Sequence, residues 1–377
     1  MPASSRATLD QTRRLVVKLG TNVIMRADGL PALGRLYGIL ESVATLGRQG
    51  KEILLVSSGA IGLGAQQLGL DHAPKLLAEK QACAAVGQGR LMAIYQEGFA
   101  RLGIVAAQVL LTEYDFSNRR RYLNLRATLD HLLKLGVVPI INENDTVSTA
   151  ELEAPEGFRT APVFGDNDKL SALVASGVEA DTLLILSDVA GLYTGNPRRD
   201  PEARLIPWVE ELTAELERCA DGQSERGRGG MASKLAAVRC ATRAGTRVLI
   251  ADGANPGILD QVLSGQEVGT LFEPGQRLKG RKRWIAHAGQ LSGRIRVNAG
   301  AREALQAGRV SLLAAGVVAL EGDFERDDVV AIADEHGHDF ARGIVTMARS
   351  EADPALKKPV NGRVLVSRDT FVLLEHS

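Results

Sequence analysis

Cysteine is nearly missing from this chain. Cys83, Cys219 and Cys240 are the only three in 377 residues, and no two of them have metal-ligand spacing. That argues against a disulfide framework and for a reducing compartment. Aromatic residues are scarce at 4%, while Ala, Leu, Val and Gly dominate, as in parallel sheets covered by helices. Net charge is missing as well. Lys and Arg number 45 against 45 Asp and Glu, so nothing at whole-chain level favours a polyanionic partner. No apolar run approaches the roughly 20 residues that span a bilayer, and residues 1–14 are polar, without the apolar stretch of a secretory signal. The expectation is a cytoplasmic, soluble protein with no membrane partner. The six histidines are dispersed and form no metal-spaced pair. No metal ligand is assigned, and no histidine sits in a motif that would make it a general base. His336 and His338, either side of Gly337, read as a surface turn.

The length exceeds one ordinary domain, since about 150 residues per domain predicts two or three. From residue 15 to about 270, short apolar runs alternate with amphipathic stretches. Strands are expected at 15–19, 53–56, 104–111, 137–141, 182–186 and 247–251, and helices at 33–48, 76–102, 121–135 and 169–176. This alternation predicts an α/β fold, a mainly parallel open sheet sandwiched by helices. The strand exits are polar or glycine-rich, and on one edge of such a sheet they converge on a single crevice. The texture changes around residues 273–280. Beyond it, short strands at 295–297, 317–320, 329–332 and 343–347 with turn signals between them predict a small β-rich second domain. The expected domains are residues 12–273 and 281–377.

Two acid-amide clusters carry most of the chemistry. Asn142-Glu143-Asn144-Asp145 follows the apolar run 137–141, and Gly165-Asp166-Asn167-Asp168 precedes a helix. Carboxylates and amides at the end of an apolar strand suit a small zwitterion, because Asp accepts from an ammonium and Asn both donates and accepts. Either cluster alone is equally compatible with turn and helix-capping chemistry. Lys18 ends the first strand, where its ammonium must reach solvent or an anion. A phosphate is the natural anion for such a point charge. Arg228-Gly229-Gly230-Met231-Ala232-Ser233-Lys234 is a glycine-rich loop opening a helix, able to turn free N–H groups towards phosphate oxygens. The spacing is neither a Walker A loop nor a dinucleotide fingerprint. Ser58-Gly59-Ala60 opens another helix after the second strand. Ser58 has no histidine neighbour or nucleophile elbow, so it is not read as a nucleophile. Two lysines and oriented N–H groups point to phosphoryl transfer, in which charge is dispersed rather than protons moved. A carboxylate acceptor is already ionised at neutral pH and needs no general base.

In this order, Val17-Lys18-Leu19-Gly20-Thr21, Ser57-Ser58-Gly59-Ala60, the two acid-amide clusters, Ser187-Asp188 with Gly191-Leu192-Tyr193, and Gly229-Gly230-Met231 with Lys234 resemble the amino acid kinase family, in its glutamate-phosphorylating branch. Leu313-Ala314-Ala315-Gly316-Val317, Glu321-Gly322-Asp323-Phe324 and Ala341-Arg342-Gly343 resemble a PUA domain. The resemblance implies transfer of the ATP γ-phosphate to the side-chain carboxylate of L-glutamate, the first step towards proline. It implies that Lys18 and Lys234 contact phosphates and that Asp168 orients them, these three forming the catalytic set. Ser58, Asp145, Asp166 and Asn167 would bind glutamate, Asp145 its ammonium. Ser187 and Asp188, with Arg228, Gly229, Gly230, Met231, Ala232, Ser233 and Lys234, would lie on the nucleotide side. Mg²⁺, inhibition by proline and a homo-oligomer (dimer or tetramer) are implied in the same way. Asn22 and Ser187 stand where Ser and Thr are common in the family, and both keep a short polar side chain.

The alternatives are another amino acid kinase, acting on acetylglutamate, aspartate, carbamate or a nucleoside monophosphate, and an RNA-binding PUA protein. The paired clusters together with the PUA-like tail favour glutamate. Residues 281–377 contain 14 Lys and Arg against 13 Asp and Glu, a poor electrostatic footprint for RNA. A local patch of Arg281-Lys282-Arg283 with Arg294 and Arg296 is the one feature in favour. Trp284 and Phe324 are expected in the core of the small domain, Met231 and Cys240 as packing residues, and residues 151–162 as a polar loop over the site.

Overall fold

The computed structural model describes residues 4–147, 167–197, 199–220, 230–255, 257–275, 285, 291–308, 310–357 and 363–374. The chain divides into two compact units, residues 1–112 with 126–277 and residues 113–125 with 278–377. The loop at 151–162, Asp166, Arg228, Gly229, Arg281-Lys282-Arg283 and Trp284 lie outside the described residues.

The first unit holds one sheet. Its strands are β1 (Arg14–Leu19), β2 (Glu52–Ser57), β3 (Ala106–Leu111), β4 (Val138–Glu143), β5 (Thr182–Ser187), β6 (Trp208–Val209), β7 (Arg247–Asp252) and β8 (Thr270–Phe272). They lie in the order β3-β4-β2-β1-β5-β7-β8-β6. All pairs are parallel except β7 with β8. Strands β1, β2, β4 and β5 are buried at nearly every position, which is why they read as unbroken apolar runs. Edge strand β3 is mostly half-buried. The helices are α1 (Leu33–Arg48), α2 (Ala60–Gln67), α3 (Leu77–Arg101), α4 (Arg119–Lys134, whose first residues group with the second unit), α5 (Asn167–Gly177), α6 (Met231–Arg243) and α7 (Ile258–Leu263).

From β1 the chain passes through β2, β3 and β4 on one side, then crosses to β5 on the other. The order reverses between β1 and β5, and open α/β sheets bind ligands beyond the carboxyl ends of the strands at such a point. The strand ends are flush there. Leu19 pairs with Ser57 and with Leu186, and Ser187 pairs with Asp252.

Helix α2 starts directly after Ser58 and Gly59, and it is held down by α3 at a close crossing. A methyl group at Gly87 would fall on the Ala60 carbonyl, and one at Gly64 on the Cys83 carbonyl. These two glycines let the helix backbones touch. The inward face of α3 carries Cys83, Ala84, Gly87, Leu91 and Tyr95, all buried at helical spacing.

The second unit contains β9 (Gly293–Val297), β10 (Leu312–Leu313), β11 (Val317–Gly322), β12 (Val329–Ala333), β13 (Asp339–Val345) and β14 (Val364–Leu373), in the order β10-β14-β13-β12-β9-β11. Only the β12–β9 pair is parallel. Ile295, Phe324, Ile332, Phe340 and Val366 are in its core. The unit also has α8 (Ala299–Gln306) and α9 (Arg349–Lys357). Asn298 caps α8 by accepting from the Ala301 N–H. His336 and His338 are exposed. Arg294 pairs with Asp339 and Glu321, and Arg296 with Glu321, so neither is left as a free cation of a basic patch.

Two expectations need correction. Strand β4 runs on to Glu143, so Asn142 and Glu143 are buried strand residues rather than an exit loop. The ladder with β3 continues through Leu110–Asn142 and Leu111–Glu143. Strand β13 covers 339–345 rather than 343–347, because its pairing with β12 already begins at Asp339–Ala333. Strands β6, β8, β10 and β14 and helices α7, α8 and α9 were not anticipated.

The α2–α3 crossing gives a contrast within one helix. Gly87→Ala should lower stability by roughly 1–3 kcal/mol through overpacking, although Ala is favoured over Gly in a helix interior by about 1 kcal/mol. Gly89→Ala has nothing within 4 Å of the new methyl and should leave the thermal midpoint unchanged or raise it. A Gly87→Ala midpoint at or above wild type in circular dichroism melts would contradict the close approach.

Candidate active site

Lys18 belongs to β1, the centre of the sheet, and is only 3% exposed. An ammonium in that position requires an anion, and Asp168 supplies it. Asp168 is in the first turn of α5 and is fully buried at 0%. Lys18 Nζ lies 2.5 Å from Asp168 Oδ1. Lys234, in the first turn of α6 and 5% exposed, donates from Nζ to Asp168 Oδ2 at 3.2 Å. One carboxylate therefore bridges two ammoniums that come from the first strand and from the helix behind the glycine loop. The three side chains sum to one formal positive charge, and two ammoniums at the strand ends suit a phosphate.

Beside this charged centre lies a neutral one built from amides. Asn167 Nδ2 donates towards the Ser57 carbonyl at 2.9 Å, Ser58 Oγ at 3.1 Å and Asn142 Oδ1 at 2.9 Å. Asn142 Oδ1 also accepts from the Glu143 N–H at 2.9 Å, and its Nδ2 donates to Gln88 Oε1 at 2.8 Å. Below these groups, Ser57 Oγ and the Tyr95 hydroxyl are hydrogen-bonded at 2.8 Å in the core. Burial pushes the Tyr95 phenol upward, so it remains a neutral support. Asp145 is half-buried in the turn after β4.

On the far side of β1, Ser187 ends β5 and donates from Oγ to Asp188 Oδ1 at 3.1 Å. Asn22, in the single helical turn that follows β1, donates to Asp188 Oδ2 at 2.8 Å. Burial would raise the Asp188 carboxyl. Hydrogen bonds from Asn22, from its own N–H and from Ser187, with the charge of Lys234, outweigh burial and hold it below the usual range. Gly230 is the extended N-cap of α6, followed by buried Met231, exposed Ala232 and half-buried Ser233.

Of the residues expected from sequence, Lys18, Lys234 and Asp168 form one bonded cluster, Ser58 and Asn167 another, and Ser187 with Asp188 a third. Asn142 was expected as a member of the first acid-amide cluster, but its bonds to Asn167 and Gln88, the Asn22–Asp188 bond and the supports Gln88 and Tyr95 were not anticipated. The only signal for Gln88 was its helical spacing next to small and apolar inward residues of α3. Cys83 is a buried free thiol, pushed up by that burial. Among the described residues no group of three or more His, Cys, Asp or Glu could hold a metal ion, and no helix is long and apolar enough to cross a membrane.

Residues 13–252 match the Amino acid kinase family, and residues 293–361 match the PUA domain. Glutamate 5-kinase of Myxococcus xanthus is 48% identical over 352 residues, covering 93% of this chain and 90% of that protein. Glutamate 5-kinase of Synechococcus elongatus is 49% identical over 336 residues, covering 88% of each. Among solved structures, UMP kinase from Bacillus anthracis aligns with 71% of this chain and 98% of its own at 16% identity and a TM-score of 0.46. The first family match alone takes in more than half of the sequence, and the chain belongs to the amino acid kinase family.

Proposed function

We infer that this protein phosphorylates the side-chain carboxylate of L-glutamate with ATP, yielding glutamyl 5-phosphate, the first step of proline biosynthesis. Curated relatives at 48–49% identity across about nine-tenths of the chain carry the substrate assignment. The observation that carries the mechanism is the Lys18–Asp168–Lys234 cluster at the switch point.

A carboxylate oxygen of glutamate attacks the γ-phosphorus while the bond to the bridging oxygen breaks and ADP leaves. No proton has to move, because the acceptor is ionised at neutral pH. The obstacle is repulsion between two anions. Lys18 and Lys234 contact the phosphates and spread the charge of the transferring group. Asp168 touches the lysines rather than the substrates and is a positioning residue. Ser58 and Asn167 hold the amino acid, with Asp145 and Asp166 completing its site and Asp145 taking the ammonium. Ser187, Asp188 and residues 228–234 receive the nucleotide, where the N–H groups opening α6 favour phosphate. The described residues form no magnesium cage, and Asp168 is committed to two lysines. Mg²⁺ would come chelated by the phosphates of ATP, as this ion commonly does, and would lower their charge there. The reading also includes a cytoplasmic homo-oligomer, dimer or tetramer, inhibited by proline at the glutamate site.

Purified protein with MgATP should release ADP only when L-glutamate is present, and hydroxylamine should trap the acyl phosphate as a hydroxamate. Stimulation by N-acetylglutamate or aspartate instead would overturn the substrate. Lys234→Ala should lower kcat about 100-fold or more, the scale of losing one charge-stabilising donor. Asp168→Asn, which strands two buried ammoniums, should in addition cost roughly 3–5 kcal/mol of stability. With no general base, kcat/KM for glutamate should stay flat between about pH 6 and 8, and an inflection near the ordinary histidine pKa of about 6.5 would point to a base left out of this mechanism. Proline should inhibit, and raising glutamate should relieve the inhibition. Inhibition that is indifferent to glutamate would separate the two sites.

A further inference from the structure

We propose that Gln88 of α3 is a positioning residue for the acceptor amino acid, setting the orientation of Asn142 and through it that of Asn167. The inference rests on the glutamate kinase reading above and extends it to a side chain outside the sheet edge.

The argument is one of forced amide orientation. A side-chain amide can bond correctly in only one of its two flips when its neighbours are fixed donors or acceptors. Asn167 faces the Ser57 carbonyl, which can only accept, so Asn167 presents Nδ2 to that side. Asn142 faces the Glu143 N–H, which can only donate, so Asn142 presents Oδ1 there and to Asn167. Its Nδ2 is thereby turned towards α3, where Gln88 must answer with Oε1. Two backbone groups thus dictate the whole chain Asn167–Asn142–Gln88, with Gln88 as its terminal acceptor. Without Gln88, the Asn142 Nδ2 would face α3 with that acceptor gone, and the other flip would set it against the Glu143 N–H.

Gln88 meets this demand at the expense of its own satisfaction. Its Nε2 is buried and has no hydrogen-bond partner among the described residues. A glutamine retained for packing alone would not keep a buried donor unpaired, since an apolar side chain of similar size avoids that cost. The position is also built to be stiff. Gly87, the preceding residue, is the contact point with α2, and Tyr95, two turns on, supports Ser57. The face of α3 that locks the start of α2 therefore also locks the amides beside Ser58.

The test compares Gln88→Met with wild type by steady-state kinetics, with Gln88→Asn, too short to reach Asn142, as a second variant should the first not fold. The KM for glutamate should rise about 10-fold, within the roughly 5- to 100-fold expected when a buried donor loses its acceptor. The KM for ATP should stay within about 2-fold, since the nucleotide residues lie across β1. Asn142→Ala with and without Gln88→Met should differ less than about 2-fold, because a residue acting through Asn142 has nothing left to position. An unchanged KM for glutamate, equal rises for both substrates, or multiplicative effects in the double variant would overturn the proposal. Wild-type turnover separates the two failures. An active wild type with an unaffected Gln88→Met rejects this inference alone, whereas a wild type without glutamate-dependent turnover removes the functional reading and this inference with it.

Discussion

A single carboxylate holds two lysines at the carboxyl end of the first unit's central strand. Asp168 is fully buried and touches Lys18 and Lys234, which are nearly so. Buried ion clusters are poor devices for stability, because desolvation offsets most of the attraction and apolar replacements are often as good. Their presence at the edge of an otherwise apolar sheet therefore points to chemistry. The cluster also fixes geometry. Lys18 comes from the middle strand, Asp168 from the helix leading into β5, and Lys234 from the helix leading into β7, so the relative placement of all three elements is set at one carboxylate.

The two halves of the site differ in kind. Towards Ser187 and Lys234 the groups are charged. Towards Ser58 the partners of Asn167 are neutral: an amide, a hydroxyl and a backbone carbonyl. On the proposed function, this division suits a carboxylate nucleophile. Neutral donors can orient such a group without cancelling the charge that makes it reactive, while the ammoniums stand where negative charge grows during transfer.

Much of this was legible in the sequence, for a specific reason. Buried parallel strands must be apolar on both faces, so β1, β2, β4 and β5 stand out as runs, and residues that break the rule at their ends, Lys18 and Ser187, stand out too. The boundary of β4 was not legible, because Asn142 and Glu143 are strand residues only by virtue of their ladder with β3. Gln88 was not legible either. A glutamine in a long helix looks like any solvated position, and its role appears only when two backbone groups from other elements dictate its orientation. In the second unit, the polar Ser367-Arg368-Asp369-Thr370 interrupts the apolar pattern of β14. Gly343 pairs with Phe371 and Val345 with Val366, so the ladder skips this stretch while the strand continues.

The position of β1 has a consequence for how the protein is made. In the chain it precedes the other described strands of its sheet, yet it lies between β2 and β5 and carries a lysine whose anion comes from the helix preceding β5. Until residues 167–187 have been synthesised, β1 has only one of its two neighbours and Lys18 lacks Asp168. A nascent chain that stops short of β5 exposes an open strand edge next to an ammonium without Asp168, which opposes early burial of that edge. Translation order thus leaves the central strand waiting for its partner, and the first unit consolidates as a whole rather than growing outward from its N-terminus.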